Sequence, residues 1–260
     1  NTQVIAQNMR HEESGDQLFP PYWIKEIDGI RIGFVGINDP DIPFRQAPSY
    51  SKGILFNDID NSVEEVINKV KFDEQADFII LLTHIGLAKQ VALANNPISR
   101  HADYIFGNDT HERVREPIEG KYAKVVETGA FGSFVGKLTL HFEQGKLVED
   151  QYELLETDPV RYPANKEMQE LIDKKKSPYS KELESVIGSP AEPLYRYLIV
   201  ENAMDNMITD AMRWKTGVDI SLSNGFRFGN PIVPQNGEPA QITRNDLWNM
   251  LPIDDYVKTG

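Results

Sequence analysis

The strongest constraint on the fold is a pair of apolar runs, each of which ends in a polar segment that contains a histidine. The runs are ADFIILLTHIG at residues 76–86 and ADYIFGNDTH at residues 102–111. Continuous apolar residues predict strands that are buried on both faces, as in a parallel sheet covered by helices. The residues near 88–95 between the runs predict a helix, which is the connection that parallel strands need. The sequence therefore predicts an α/β fold with mixed α and β elements.

The flanking segments predict further elements of a first domain at residues 1–156. Alternating apolar residues on either side of Asp28-Gly29 predict a hairpin, because this dipeptide tolerates positive φ. Val63, Val66, Ile67 and Val70 have the spacing of an amphipathic helix. More strands follow, with a turn at Gln144-Gly145.

The rest of the chain predicts a second domain. Prolines bracket one charged helix at residues 157–182, which predicts a linker, and the lysines of DKKKS at 173–177 are expected at its solvated end. A second domain is expected at residues 183–260. It is predicted to contain a helix at about 199–215, which ends at Gly217, and a strand in DISLS at 219–223.

Composition excludes several classes of function. The chain has 260 residues, no cysteine and a formal net charge of −13. The charge argues against binding to a nucleic acid polymer, and no stretch reaches the length of a membrane span. Without cysteine, a transition-metal site must use His, Asp, Glu or Asn, which suits Zn, Mn, Fe or Mg.

His84, Asp109 and His111 are the candidate metal ligands. Each lies at the end of a predicted buried strand, and in open α/β sheets ligands bind at the carboxyl ends of the strands. Taken singly, His84 could be a hydrogen-bonded structural residue, and the Asp109–His111 segment could be a solvated Asx-type turn. Together the three side chains favour a metal site with open positions, which is typical of catalytic rather than structural sites.

A second candidate site is the glycine-containing loop SNGFRFGNP at residues 223–231. Gly225 and Gly229 would allow close approach of a ligand to the backbone, Arg227 could hold an anion, and Phe226 or Phe228 could stack on a planar group. The alternative is a turn whose arginine pairs with a carboxylate of the same chain.

These segments, taken together, resemble the bacterial 5'-nucleotidase family of secreted two-domain metallophosphoesterases. They occur in the family's order and span nearly all of the chain. The loop NGFRFGNP and the stretch DPDIPFRQAPSYSKG are also similar to the thiosulfohydrolase branch. The matching segments are IGFVGINDPDIP, LLTHIGLA, YIFGNDTHERVREPI, VVETGAFGSFVGKL, IVENAMDNMITDAMRWKTGVDISLSNGFR and ITRNDLWNMLPIDDYV.

The resemblance implies the later half of a calcineurin-like sandwich, followed by the first part of a substrate-binding domain. His84 matches a histidine that binds one of two divalent metal ions (Mn, Zn, Mg or Fe). Asp109 stands where the family has the first histidine of a Gly-His-x-His motif, and His111 matches the second. Asn224, Gly225 and Arg227 match the substrate-binding loop, in a shortened form.

The resemblance also implies a function and its limits. It implies hydrolysis of a small phosphate ester of the nucleotide type, in the periplasm or outside the cell. The family's other ligands and its catalytic histidine would lie upstream of Asn1, so we interpret the chain as an internal part of a longer protein that is weak or inactive alone. The alternatives are a sulfur-ester hydrolase of the thiosulfohydrolase type and a non-enzymatic binding module.

Overall fold

The computed structural model describes residues 2–59, 61–197, 200–223, 225, 229–234 and 237–252. The chain divides into two compact units, Asn1–Tyr162 and Pro163–Gly260. The sequence predicts a charged linker helix at residues 157–182, apart from both domains. In the structure this helix lies in the second unit, which begins at Pro163. The predicted domain boundaries stay a prediction.

The first unit contains ten strands and three α-helices among its described residues. The strands are β1 (Met9–His11), β2 (Tyr22–Ile27), β3 (Ile30–Asn38), β4 (Ile54–Phe56), β5 (Phe78–His84), β6 (Tyr104–Gly107), β7 (Ile118–Glu119), β8 (Lys124–Glu127), β9 (Phe134–Glu143) and β10 (Lys146–Glu156). The helices are α1 (Ile42–Arg45), α2 (Asn61–Asn68) and α3 (Leu87–Ala94).

Six of these strands form one sheet in the order β2-β3-β5-β6-β8-β7. Strands β3, β5, β6 and β8 are parallel, so their carboxyl ends lie at the same edge of the sheet. The predicted hairpin is confirmed: Ile27 pairs with Ile30 across a two-residue turn in which Asp28 and Gly29 have φ of +51° and +80°.

Strand β5 is buried on both faces, as predicted. Ile79 and Leu81 lie in the core on the face covered by α2 and α3, together with the predicted helix residues Val63 and Ile67. On the opposite face Phe78, Ile80 and Tyr104 are covered by apolar side chains of the β9–β10 hairpin. That hairpin turns at Gln144 and Gly145, as predicted, with φ of +51° and +76°. The first unit is therefore a layered α/β structure around a mostly parallel sheet.

The second unit contains four α-helices and a small antiparallel sheet among its described residues. These elements are α4 (Lys166–Lys176), α5 (Ser180–Leu183), β11 (Val186–Gly188), α6 (Ala203–Thr216), β12 (Ile242–Thr243) and α7 (Arg244–Met250). The core packs Met204 and Met250 with residues from β12 and the loops. No residue of α4 is buried, as expected for its solvated lysines.

Two predictions in this unit need correction. Helix α6 begins at Ala203 rather than 199, because the Asn202 side chain caps it by accepting a hydrogen bond from the Asp205 N–H. The helix ends at Thr216, and Gly217 follows it in a left-handed backbone conformation, as predicted. The predicted strand at 219–223 is wrong: these residues pair with no strand in the part of the chain that the structure describes, Ile220 and Leu222 are exposed, and the Ser221 hydroxyl donates to the Thr209 carbonyl.

Among the described residues, none of the helices combines the length and apolar character that crossing a bilayer requires.

Candidate functional site

The candidate site lies at the edge of the sheet where parallel strands β3, β5 and β6 end. Asn38, the last residue of β3, pairs with His84, the last residue of β5. Strand β6 runs beside β5 in the same direction and ends at Gly107. Asp39, His84 and Asp109 therefore follow or close three neighbouring strands, which explains why residues distant in sequence meet here.

His84 and Asp109 lie close together, as the strand ends predict. The His84 Nε2 atom is 4.0 Å from the Asp109 Oδ1 atom, and half of the His84 side chain is exposed. The chain then turns at Gly86, which has φ of +78°, before α3 begins at Leu87. The backbone of His84 is thus fixed by a buried strand, while half of its side chain is exposed to solvent.

The loop after β6 contains two residues in an unusual backbone conformation. Asp109 and His111 have φ of +100° and +62°. Asp and His tolerate positive φ better than most residues, but such positions still cost about 1–3 kcal/mol each. The Asn108 side chain accepts a hydrogen bond from the Asp109 N–H at 2.8 Å, and the His111 ring packs edge-on against Phe131 at 5.6 Å.

The Asp109 carboxylate is held by an arginine that sequence analysis did not identify. Arg45 Nη1 donates to Asp109 Oδ2 at 3.0 Å and Arg45 Nη2 donates to Oδ1 at 3.1 Å. Arg45 also pairs with Asp39, whose side chain is fully buried. This forked geometry fixes the plane of the Asp109 carboxylate.

Asp39 lies at the centre of a charged network. Burial opposes its ionisation, but hydrogen bonds from Arg45, the Asp41 N–H and Lys89 outweigh that cost and hold the pKa of Asp39 below its usual value. The pKa of Lys89 is raised because it donates to Asp41 and lies beside Asp39. Hydrogen bonds to Asp109 and Asp39 raise the pKa of Arg45. Asp39, Lys89 and Arg45 are therefore charged at neutral pH.

Asp39, Arg45 and Lys89 left only a weak signal in the sequence. Asp39 directly follows β3, Arg45 is the last residue of the short helix α1 in the same proline-rich segment, and Lys89 lies in the first turn of α3. Only their position along the chain could have identified them: a charged segment that follows a strand at the carboxyl edge of the sheet must lie near the other segments at that edge.

The second candidate site is described only in part. Gly225 has φ of +63°, and its N–H donates to the Ser223 hydroxyl at 3.2 Å. The left-handed backbone is the reason for a glycine at this position. The other predicted substrate-binding residues, Asn224, Phe226 and Arg227, lie outside the described residues.

The donors at the sheet edge fit part of a metal site. Imidazole nitrogen and carboxylate oxygen bind divalent metals at about 2.0–2.2 Å, so two ligand atoms of one ion can be at most about 4.4 Å apart. The 4.0 Å between His84 and Asp109 lies within that span. Within the described part of the chain, however, no group of three or more His, Asp or Glu side chains is arranged to hold a metal. The ligand roles of His84, Asp109 and His111 stay a prediction.

Comparison with known proteins identifies what the chain is similar to. Residues 187–260 match the family model described as "5'-nucleotidase, C-terminal domain". The trifunctional nucleotide phosphoesterase protein YfkN of Bacillus subtilis is 24% identical over 254 residues, which cover 91% of this chain and 16% of that protein. The 5'-nucleotidase of Vibrio cholerae is 27% identical over 184 residues, which cover 60% of this chain and 33% of that protein.

Two solved structures share the fold over nearly the whole chain, and a third shares it over part of the chain. The sulfate thiohydrolase SoxB of Thermus thermophilus matches 96% of this chain and 45% of its own with a TM-score of 0.88 and 21% identity. A 5'-nucleotidase precursor from Thermus thermophilus matches 96% and 53% with a TM-score of 0.79 and 23% identity. A calcineurin-like phosphoesterase from Bacillus subtilis matches 68% of this chain and 62% of its own, with a TM-score of 0.52 and 20% identity.

The resemblance to the bacterial 5'-nucleotidases and the predicted fold class are confirmed by these matches. The chain spans between 16 and 33% of the length of the two curated relatives named above.

Proposed function

We propose that the complete protein is a metal-dependent hydrolase of small phosphate monoesters of the nucleotide type, and that this chain supplies part of its active site. The observation that carries the proposal is the position of His84 beside Asp109 at the carboxyl edge of the sheet, 4.0 Å apart. The match of residues 187–260 to a 5'-nucleotidase domain supports the nucleotide substrate.

In this proposal His84, Asp109 and His111 hold divalent metal ions. Such ions, when bound, would lower the pKa of a coordinated water and neutralise charge on the phosphoryl group. Arg45 fixes the orientation of the Asp109 carboxylate, and the exposed ring of His84 leaves its Nε2 atom accessible. The loop with Asn224, Gly225, Phe226 and Arg227 would bind the leaving group, and the protein would act in the periplasm or outside the cell.

A sulfur-ester hydrolase of the thiosulfohydrolase type is the second candidate. The stretch at residues 39–53, with Asp39 and Arg45, is similar to that branch, and Arg45 contacts the site. A binding module without activity is the third candidate, and it predicts no stoichiometric metal.

The test compares substrates and variants in the complete protein with added Mn²⁺. We expect turnover of a nucleoside 5'-monophosphate to exceed that of an S-sulfonated thiol. His84→Ala and His111→Ala should each lower kcat/KM by about 100-fold or more, because a lost ligand weakens stabilisation of the transition state. His141→Ala, on the exposed face of β9, is the control.

The reverse substrate preference would favour the sulfur-ester hydrolase. If both histidine variants keep the wild-type kcat/KM, the assigned site is wrong. Absence of both turnover and bound metal would favour the binding module.

A further inference from the structure

Glu127 is a buried carboxylate that the proposed function does not use. It is the last residue of β8, and its side chain is fully enclosed. In the described part of the chain no lysine, arginine or histidine lies within ion-pair distance of it. A buried carboxylate without a counter-ion is unfavourable unless hydrogen bonds replace its water. Its hydrogen bonds therefore indicate what the residue does.

Among the described residues, every hydrogen bond of the Glu127 side chain reaches the loop that carries Asp109 and His111. The Thr110 hydroxyl lies 2.9 Å and 3.1 Å from the two Glu127 carboxylate oxygens. The Glu112 N–H donates to Glu127 Oε1 at 3.3 Å. Glu127 thus contacts both a side chain and a backbone amide within the four residues 109–112.

Thr110 extends this contact to the start of α3. Its hydroxyl oxygen accepts a hydrogen bond from the Leu87 N–H at 3.0 Å, while the hydroxyl hydrogen is donated to Glu127. Leu87 is the first residue of the helix that follows His84 by three positions. One hydroxyl therefore connects the segment after β5, the loop after β6 and the end of β8.

We propose that Thr110 and Glu127 are positioning residues that fix the conformation of the 109–111 loop and thereby the affinity of the site for a divalent cation. The loop needs such support because Asp109 and His111 on either side of Thr110 both have positive φ. The effect on cation affinity rests on the proposed function, whereas the effect on the loop does not.

Isosteric variants of Thr110 in the complete protein test this role. Thr110→Val removes the hydroxyl at nearly constant volume, and Thr110→Ser restores it. Thr139→Val, at an exposed position of β9, is the matched control. Titration calorimetry of the metal-free protein with MnCl₂ should show affinity about 10–100-fold weaker for Thr110→Val, because residues that orient ligands have effects of this size. Thr110→Ser and Thr139→Val should stay within about 3-fold of wild type.

Glu127 is tested by a second pair of variants. Glu127→Leu removes both acceptors and should weaken Mn²⁺ binding as much as Thr110→Val. Glu127→Gln keeps one acceptor oxygen and should lie between Glu127→Leu and wild type. A purely structural role would instead lower the thermal midpoint and leave the affinity of the folded protein unchanged.

Hydrogen exchange of the metal-free protein separates this proposal from the proposed function. The Leu87 and Glu112 amides should exchange at least 10-fold faster in Thr110→Val than in Thr110→Ser. If the wild-type protein binds no divalent cation, the proposed function fails. Hydrogen exchange then tests by itself whether Thr110 positions the loop. Unchanged exchange in Thr110→Val, or equal Mn²⁺ affinity in the Val and Ser variants, would overturn the inference.

Discussion

The guanidinium of Arg45 contacts both carboxylate oxygens of Asp109, at 3.0 and 3.1 Å, although 64 positions separate the two residues in sequence. The same guanidinium contacts Asp39, which is fully buried. Arg45, at the end of α1, therefore joins the segment after β3 to the loop after β6. The carboxyl edge of the sheet is held together by charged hydrogen bonds as well as by the strands beneath it.

Arg45→Met should destabilise the first unit. Among the described residues, the change leaves buried Asp39 with one cationic partner, Lys89, and it removes both Arg45 hydrogen bonds to Asp109. Loss of hydrogen bonds to charged groups predicts a decrease of about 1–3 kcal/mol in the free energy of unfolding by urea. Arg115→Met is the matched control, because Arg115 and Glu156 form an exposed pair whose loss should cost at most about 1 kcal/mol. Equal effects of the two variants would contradict a special role for Arg45.

Asp39→Asn should change how stability depends on pH. The pKa of Asp39 is lower in the folded protein than its ordinary value of 3.8. Ionised Asp39 therefore stabilises the fold at pH above 3.8, and this contribution is lost as the pH falls through the folded-state pKa. Urea unfolding from pH 7 to pH 3 should show wild type more stable than Asp39→Asn at neutral pH, with a difference that shrinks in acid. A constant difference would contradict the assignment.

The sequence predicts the sheet better than the contacts at its edge. Periodicity and the Asp28-Gly29 turn predict β2, β3, α2 and β5, because each depends on interactions between near neighbours in the chain. Proximity of His84 to Asp109 follows from strand order alone. Arg45 could not be assigned in this way, since its partner Asp109 is chosen by the tertiary fold and leaves no local pattern.

The wrong prediction of a strand at residues 219–223 shows that a local sequence pattern can also mislead. Alternating Ile220 and Leu222 give a local strand pattern, but a strand also needs a partner with which to form hydrogen bonds. In the described residues that partner is absent, and Ser221 bonds to α6 instead. A local pattern predicted the wrong element because pairing is a long-range property.

Gly107→Ala should destabilise the loop that carries Asp109. A Cβ atom at Gly107 would lie 1.9 Å from the Oε1 atom of Gln90, whose side chain is fully buried. The clash would displace the Gln90 amide, which donates to the Asn108 carbonyl at 3.0 Å. Overpacking of this kind costs about 1–3 kcal/mol.

A double-mutant cycle with Gln90→Ala tests that explanation. In the Gln90→Ala background the added methyl group meets no amide, so Gly107→Ala should cost at least about 1 kcal/mol less than in wild type. The free energy of unfolding by urea of the four proteins gives the coupling. An additive result would show that Gly107 is required for another reason.

Asp109→His should change which metal the complete protein prefers. A carboxylate adds negative charge and favours hard cations such as Mn²⁺ or Mg²⁺, whereas an imidazole suits Zn²⁺. We therefore expect the ratio of Zn²⁺ to Mn²⁺ affinity to rise in Asp109→His, measured by calorimetry together with phosphatase activity. A histidine side chain also cannot accept both hydrogen bonds that Arg45 donates to the Asp109 carboxylate. The control is therefore Asp109→Asn, which loses the negative charge without adding an imidazole. An unchanged metal ranking in Asp109→His would mean that Asp109 serves Arg45 and is not a metal ligand.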